Sequence, residues 1–212
     1  MLPPFDPWLT SLVAADVAVA SHAGAEALAG RRARRLADLL RSAARGSVLY
    51  RKLLAGRDPA RLRLEELPIG HKTELMRRFD DWVTDPALRL DALRRFASDR
   101  ARIADPFLGR YVVWESSGSS GEPGVFVQVP RAMAVYGGLE FWRRPALRPL
   151  QRMMDPWSVG ERVAFVGATC GHFASTVSVE RLRRLNPALA GSLYSISFLQ
   201  PPGGLVAGLN AL

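Results

Sequence analysis

The sequence predicts an α/β protein in two parts: a mainly helical lead-in over residues 1–100 and a layered α/β region over residues 101–212. Three observations predict it. Apolar residues in the first hundred positions recur at helical spacing, as Leu36, Leu39, Leu40 and Ala43 do. Between positions 110 and 129, two short apolar runs, "YVVW" and "VFVQV", flank a segment of serine and glycine. Beyond it, helical and strand patterns alternate, the order of a layered α/β unit.

In the helical part, Gly46 interrupts the first long run, and Ser47 is placed to cap a short helix carrying Leu49, Leu53 and Leu54. "AGRDP" at 55–59 reads as a turn. A loop starts at Pro68, a helix runs from about Thr73 to Trp82, and Asp85-Pro86 stops it. Another short helix is predicted over Asp91 to Ala97. In the α/β part, strand, glycine loop and strand cover 110–129, and a helix follows from about Arg131 to Trp142. "RVAFVG" at 162–167 is an apolar run bounded by glycine, which predicts a central buried strand. "STVSVERLRRL" at 175–185 predicts a helix and "SLYSISFL" at 192–199 a strand. Pro201 and Pro202 open a last helix whose apolar pattern carries no stop signal, so more chain is expected to follow.

Composition removes several classes. Of the 212 residues, 48% are hydrophobic, which excludes a disordered chain. No run of about 18 apolar residues is present, so no transmembrane helix is expected. The apolar N-terminus lacks a basic flank, having Asp6 there, and Asp16 interrupts it, which argues against a signal peptide. Cys170 is the lone cysteine, so no internal disulfide forms and a cytoplasmic location fits. The net charge of +9 is almost all arginine, with lysine at 52 and 72 alone. The arginines are scattered along the polar sides of helical patterns, as in "RRARR" at 31–35 and "RLRRL" at 181–185. They read as solvated helix faces, and a nucleic-acid-binding protein is kept as an alternative.

The serine-glycine segment from Ser116 to Gly124 offers backbone amides and small hydroxyls with little bulk. Glycine permits positive φ, so successive amides can converge into an anion-binding nest, and hydroxyls add donors for phosphate oxygens. A plain hairpin turn uses the same residues, and composition alone leaves the two equally open. Three other loops fail on spacing. A Walker loop needs Lys-Ser/Thr after its last glycine, whereas Glu122 and Val125 follow Gly121 and Gly124. A nucleophile elbow needs one residue between its serine and each flanking glycine, and "GSSG" at 118–121 lacks that. The dinucleotide-binding pattern leads into a helix, and here a strand pattern follows.

The order of residues carries more than their composition. Ser116, Ser117, Gly118, Ser119, Ser120, Gly121, Pro123 and Gly124 form "SSGSSGEPG". It resembles the phosphate-loop signature of the adenylate-forming (AMP-dependent synthetase/ligase) superfamily. With "LYRKLLAG" and "LPIGHKTELMRRFDDWVTDP", the chain is similar to the opening part of the phenylacetate–CoA ligase-like branch. The resemblance implies part of that family's large N-terminal domain, a layered α/β fold with a mixed sheet. It implies binding of ATP with Mg²⁺ and joining of a small-molecule carboxylic acid to the α-phosphate. Transfer of the acyl group to a thiol such as coenzyme A would follow. Ser116, Ser117, Gly118, Ser119, Ser120, Gly121 and Gly124 would then hold the β- and γ-phosphates. The resemblance covers nearly all of this chain but only about the first half of the family. The later aromatic-Gly-x-Thr-Glu motif, ribose-binding aspartate, hinge and C-terminal catalytic lysine are not found after the loop. No catalytic residue is therefore assigned, and the isolated chain is expected to be catalytically incomplete and to need a complementary C-terminal half. A non-catalytic interaction protein derived from the ligase fold is a further alternative.

A second stretch, "GATCGHFAS" at 167–175, follows the "VAFVG" run, so His172 falls near the C-terminal end of a strand, where α/β folds bind ligands. By the resemblance, His172 and Phe173 would line the acyl pocket; the plainer reading of His172 is a helix-start histidine bonded to backbone. The few Cys and His residues do not make a zinc site, and no metal ligand is assigned. Lys72, Tyr136 and Trp142 read most simply as a helix-start charge and two core aromatics, and Glu115 as a strand-end charge or an orienter of the loop.

Overall fold

The computed structural model describes residues 5–116, 123–143, 162–169 and 171–210. The chain divides into two compact units, one of Ala18–Leu93 and one of Met1–Val17 with Arg94–Leu212.

Helix α1 (Pro7–Ser21) starts at Asp6, whose carboxylate accepts from the Leu9 N–H at 3.0 Å. Helix α2 (Ala25–Gly46) is the long helix of the first unit. It buries Ala37 and Leu40, while Leu39, expected on the inner face, is exposed. Ser47 then breaks into extended backbone and caps α3 (Val48–Leu53) by accepting from the Tyr50 N–H at 3.2 Å, as the sequence predicts. The helix expected from Thr73 to Trp82 is two pieces, α4 (Lys72–Arg77) and α5 (Phe79–Trp82), with Arg78 between them at φ −111°, ψ 26°. Met76 and Phe79 are buried on either side of that break, and Phe79 meets Trp82 edge to face at 6.0 Å. Helix α6 (Leu90–Ser98) carries the chain across the boundary between the units.

In the second unit, β1 (Val112–Glu115) pairs antiparallel with β2 (Val125–Gln128), Glu115 opposite Val125. Helix α7 (Pro130–Arg143) follows. Strand β3 (Val163–Gly167), helix α8 (Ala174–Leu185) and strand β4 (Leu193–Ser197) make a βαβ unit with β3 and β4 parallel, Val163 opposite Leu193. Helix α9 (Pro202–Asn210) then packs on β4. Val112 of β1, Met133 of α7 and Val177 of α8 form one apolar cluster, with Ile103 and Trp114 against it. Helix α7 also lies close to α1: a Cβ added to Gly138 would stand 3.5 Å from a Val13 methyl and 3.6 Å from the Ala14 Cα.

The α/β class and the β-α-β order are present. Two expectations need correction among the described residues. The strands form two separate two-stranded sheets rather than one mixed sheet. "RVAFVG" does give a strand, but a half-buried one whose Val166 is exposed. Its one sheet neighbour among the described strands is β4, so its apolar side chains are covered by α8 rather than enclosed on both faces.

Candidate site at the base of the serine-glycine loop

The two stretches singled out by sequence meet at Glu115. Its backbone N–H donates to the His172 carbonyl at 2.7 Å, and Glu115 and Phe173 form an isolated parallel bridge. One step further, the loop is clasped at its mouth. The Ser116 N–H donates to the Gly124 carbonyl at 2.9 Å, and the Gly124 N–H donates to the Ser116 Oγ at 2.8 Å. This clasp extends the β1–β2 ladder by one residue pair and brings both loop ends together. It also occupies the Ser116 and Gly124 amides, leaving Ser116 its hydroxyl proton for an outside acceptor. Ser117, Gly118, Ser119, Ser120 and Gly121 lie outside the described residues, as does Cys170.

On the other side of Glu115, His172 is 1% exposed. Its ring meets Phe96 edge to face at 5.4 Å, and Phe96 in turn meets Phe107 at 5.3 Å. Among the described residues neither Nδ1 nor Nε2 has a hydrogen-bond partner. Among the described residues the plainer sequence reading, a ring bonded to backbone at a helix start, finds no such bond; the backbone carbonyl of His172 accepts from the Glu115 N–H instead. Phe173 is half-buried at the N-cap of α8, its ring folded back toward Gly171, where an added Cβ would lie 3.2 Å from it.

The first turn of α8 is tied to the end of β3. Ser175 Oγ and Thr176 Oγ1 both donate to the Ala168 carbonyl, at 2.7 and 3.1 Å. A Cβ on Gly167 would stand 2.8 Å from Ser175 Cβ and Oγ, so glycine is needed for that close approach. Sequence reasoning passed over Ser175 and Thr176; the available signal was two adjacent hydroxyl residues just after a glycine-bounded strand. Tyr136 is exposed rather than in the core, its ring edge on Trp114 at 6.1 Å. Trp142 lies within α7, and Lys72 is the first residue of α4.

A cleft of about 180 Å³ lies elsewhere in this unit, lined by Phe5, Thr10, Met133, Gly137, Arg181 and Leu185 among others. Burial holds the Arg181 guanidinium below its ordinary value there. Many arginines are paired at close range: Arg77 with Glu74, Arg78 with Glu74 and Asp81, Arg183 with Glu180, and Arg184 with Asp105. Among the described residues no group of three or more His, Cys, Asp or Glu is gathered to hold a metal ion. No helix among them is long and apolar enough to cross a membrane. In comparisons with known proteins, no family model, no curated protein and no solved structure matches the chain.

Proposed function

We propose that the chain is the N-terminal portion of an AMP-forming ligase and that its serine-glycine loop binds the polyphosphate of ATP. The observation that supports this reading most is the meeting at Glu115. The strand that leads into "SSGSSGEPG" is bonded to the "GHF" segment, so the two stretches the resemblance would assign to phosphate and acid lie on either side of one residue. A second support is the clasp between Ser116 and Gly124, which gathers both ends of the loop at one point. In this reading the amides and hydroxyls between the two ends hold the β- and γ-phosphates, with Mg²⁺ accompanying the nucleotide. Their donors oppose the charge that builds on pyrophosphate as the carboxylate attacks the α-phosphate. His172 and Phe173 would border the acid. A complementary C-terminal segment would supply the ribose contacts, the catalytic lysine and the transfer to a thiol such as coenzyme A.

Calorimetric titration with magnesium pyrophosphate and magnesium ATP tests this on the chain itself. Weak binding is expected for the wild type. Ser119→Ala should weaken it by about tenfold or more, the loss of one hydrogen bond to a charged group at roughly 1.5–3 kcal/mol. Gly121→Val should abolish it, since a β-branched side chain resists the positive φ that a nest requires. No binding by the wild type, or equal affinity in all three proteins, would make the segment a hairpin turn and nothing more.

A further inference from the structure

Helix α1 is apolar on two opposite sides. One side holds the buried Val13 and lies against α7 near Gly138. On the other, Trp8 is 80% exposed, Leu12 69% and Val19 68%, and Ala15 between them is exposed as well. The spacing 8, 12, 15, 19 alternates four and three, the pattern of a helix seam made to meet another helix. We infer that this seam is a homodimer interface, in which α1 pairs antiparallel with α1 of a second copy across a two-fold axis.

Side-chain sizes favour that partner and direction. An antiparallel pair centred between residues 13 and 14 sets Trp8 against Val19 and Leu12 against Ala15 in all four layers. Each layer then joins a large residue to a small one, which fills space evenly. A parallel pair would set Trp8 on Trp8 and leave a gap at Ala15. The two-fold arrangement uses one patch for both partners, so the surface is complementary to itself. Charge points the same way. Helix α1 carries no Lys or Arg to attract a nucleic acid or an anionic lipid surface, and its one charge, Asp16, lies outside the four seam positions. Area sets the strength. With an aromatic side chain offering about 150–250 Å², the four residues leave on the order of 500 Å² of apolar surface per copy. A pair would bury about 1,000 Å², the lower edge for a specific interface, so association in the micromolar range is expected.

Sedimentation velocity over a range of concentrations reads this directly. The wild type should pass from monomer to dimer. Leu12→Glu and, separately, Trp8→Gln should raise the dissociation constant at least about tenfold while leaving the far-ultraviolet circular dichroism unchanged. In a Cys170→Ser background, chains with Leu12→Cys mixed with chains with Ala15→Cys should cross-link to each other in preference to themselves. A wild type that stays monomeric at every concentration, or a dimer indifferent to both substitutions, would overturn the inference. So would cross-linking of Leu12→Cys chains chiefly to themselves. Binding of the wild type to anionic phospholipid vesicles that Leu12→Glu abolishes, with no dimer in solution, would give the seam to a membrane surface and overturn it too.

Discussion

At the joint between α2 and α3, and again at the joint between β3 and α8, a glycine sits where no side chain fits and a polar residue is sealed from solvent. A Cβ on Gly46 would lie 2.8 Å from the Thr84 Cβ, and one on Gly167 would lie 2.8 Å from the Ser175 Cβ. The joints differ in their polar residue. Ser47, fully buried, accepts from the Tyr50 N–H and donates to the Asp81 carbonyl at 3.0 Å, so it holds the start of α3 to the end of α5. His172 is as deeply buried, yet neither ring nitrogen is bonded among the described residues. A buried polar group with its partners specifies one arrangement; one without them opposes folding by about 1–3 kcal/mol. The first joint, with its polar residue fully bonded, specifies one arrangement of α3 against α5. The second tolerates a cost beside the loop proposed to bind phosphate, which is where departures from good packing are expected in a working protein.

The largest test is on the shared device. Gly46→Val and Gly167→Val should each lower the unfolding free energy in urea by about 3 kcal/mol, the upper end of overpacking losses. A full loss at the first and none at the second would mean that the α8 joint can relax, and the likeness would fail. Next is Ser47→Ala, which removes a cap and leaves the Asp81 carbonyl unpaired; about 2 kcal/mol should be lost by the same measurement. His172→Phe should act in the opposite direction. It replaces two unbonded nitrogens with a ring suited to the Phe96 edge, and a gain of about 1 kcal/mol should raise the thermal midpoint by roughly 2–4 °C. A loss there would show that the nitrogens find partners in solution and that the two joints are alike after all.

The smallest effect lies on the exposed surface of α4, in the same unit as the first joint. The Arg77 hydrogen bond holds the Glu74 carboxyl below the usual carboxylate range. A lowered folded value means that the contribution to stability is present above that range and is lost as pH falls through it. Wild-type urea midpoints should therefore lie slightly above those of Glu74→Gln at neutral pH, and the two should converge as acidification protonates the carboxyl. Parallel curves for the two proteins would remove the pair from the ledger of stabilising contacts.

How much of this was legible in the sequence depended on how local the cause was. Ser47 as a cap, the "VAFVG" and "SLYSISFL" strands and the helix over 175–185 follow from neighbours in the chain, and all form. Leu39 misled because periodicity weights leucine, whereas α2 turns the smaller Ala37 inward beside Leu40. The break at Arg78 carries no Gly or Pro to announce it. The exposure of Val166 could not be read either, because an apolar run says what a strand offers and not how many strands or helices come to cover it. At the candidate site, the composition of the loop was plain, but its bond to His172 joins residues 57 positions apart, by the difference of their numbers 172 and 115, and no local pattern encodes that contact.

The clasp between Ser116 and Gly124 has a consequence for protein engineering. Because two hydrogen bonds close the hairpin at its neck, the register of β1 and β2 is set below the loop and does not depend on how much chain lies above it. Doubling the length of a closed loop adds only about 0.6 kcal/mol of entropy. The neck is therefore a socket: a peptide epitope or a fluorescent reporter could be grafted between these two residues while the strands beneath keep their pairing.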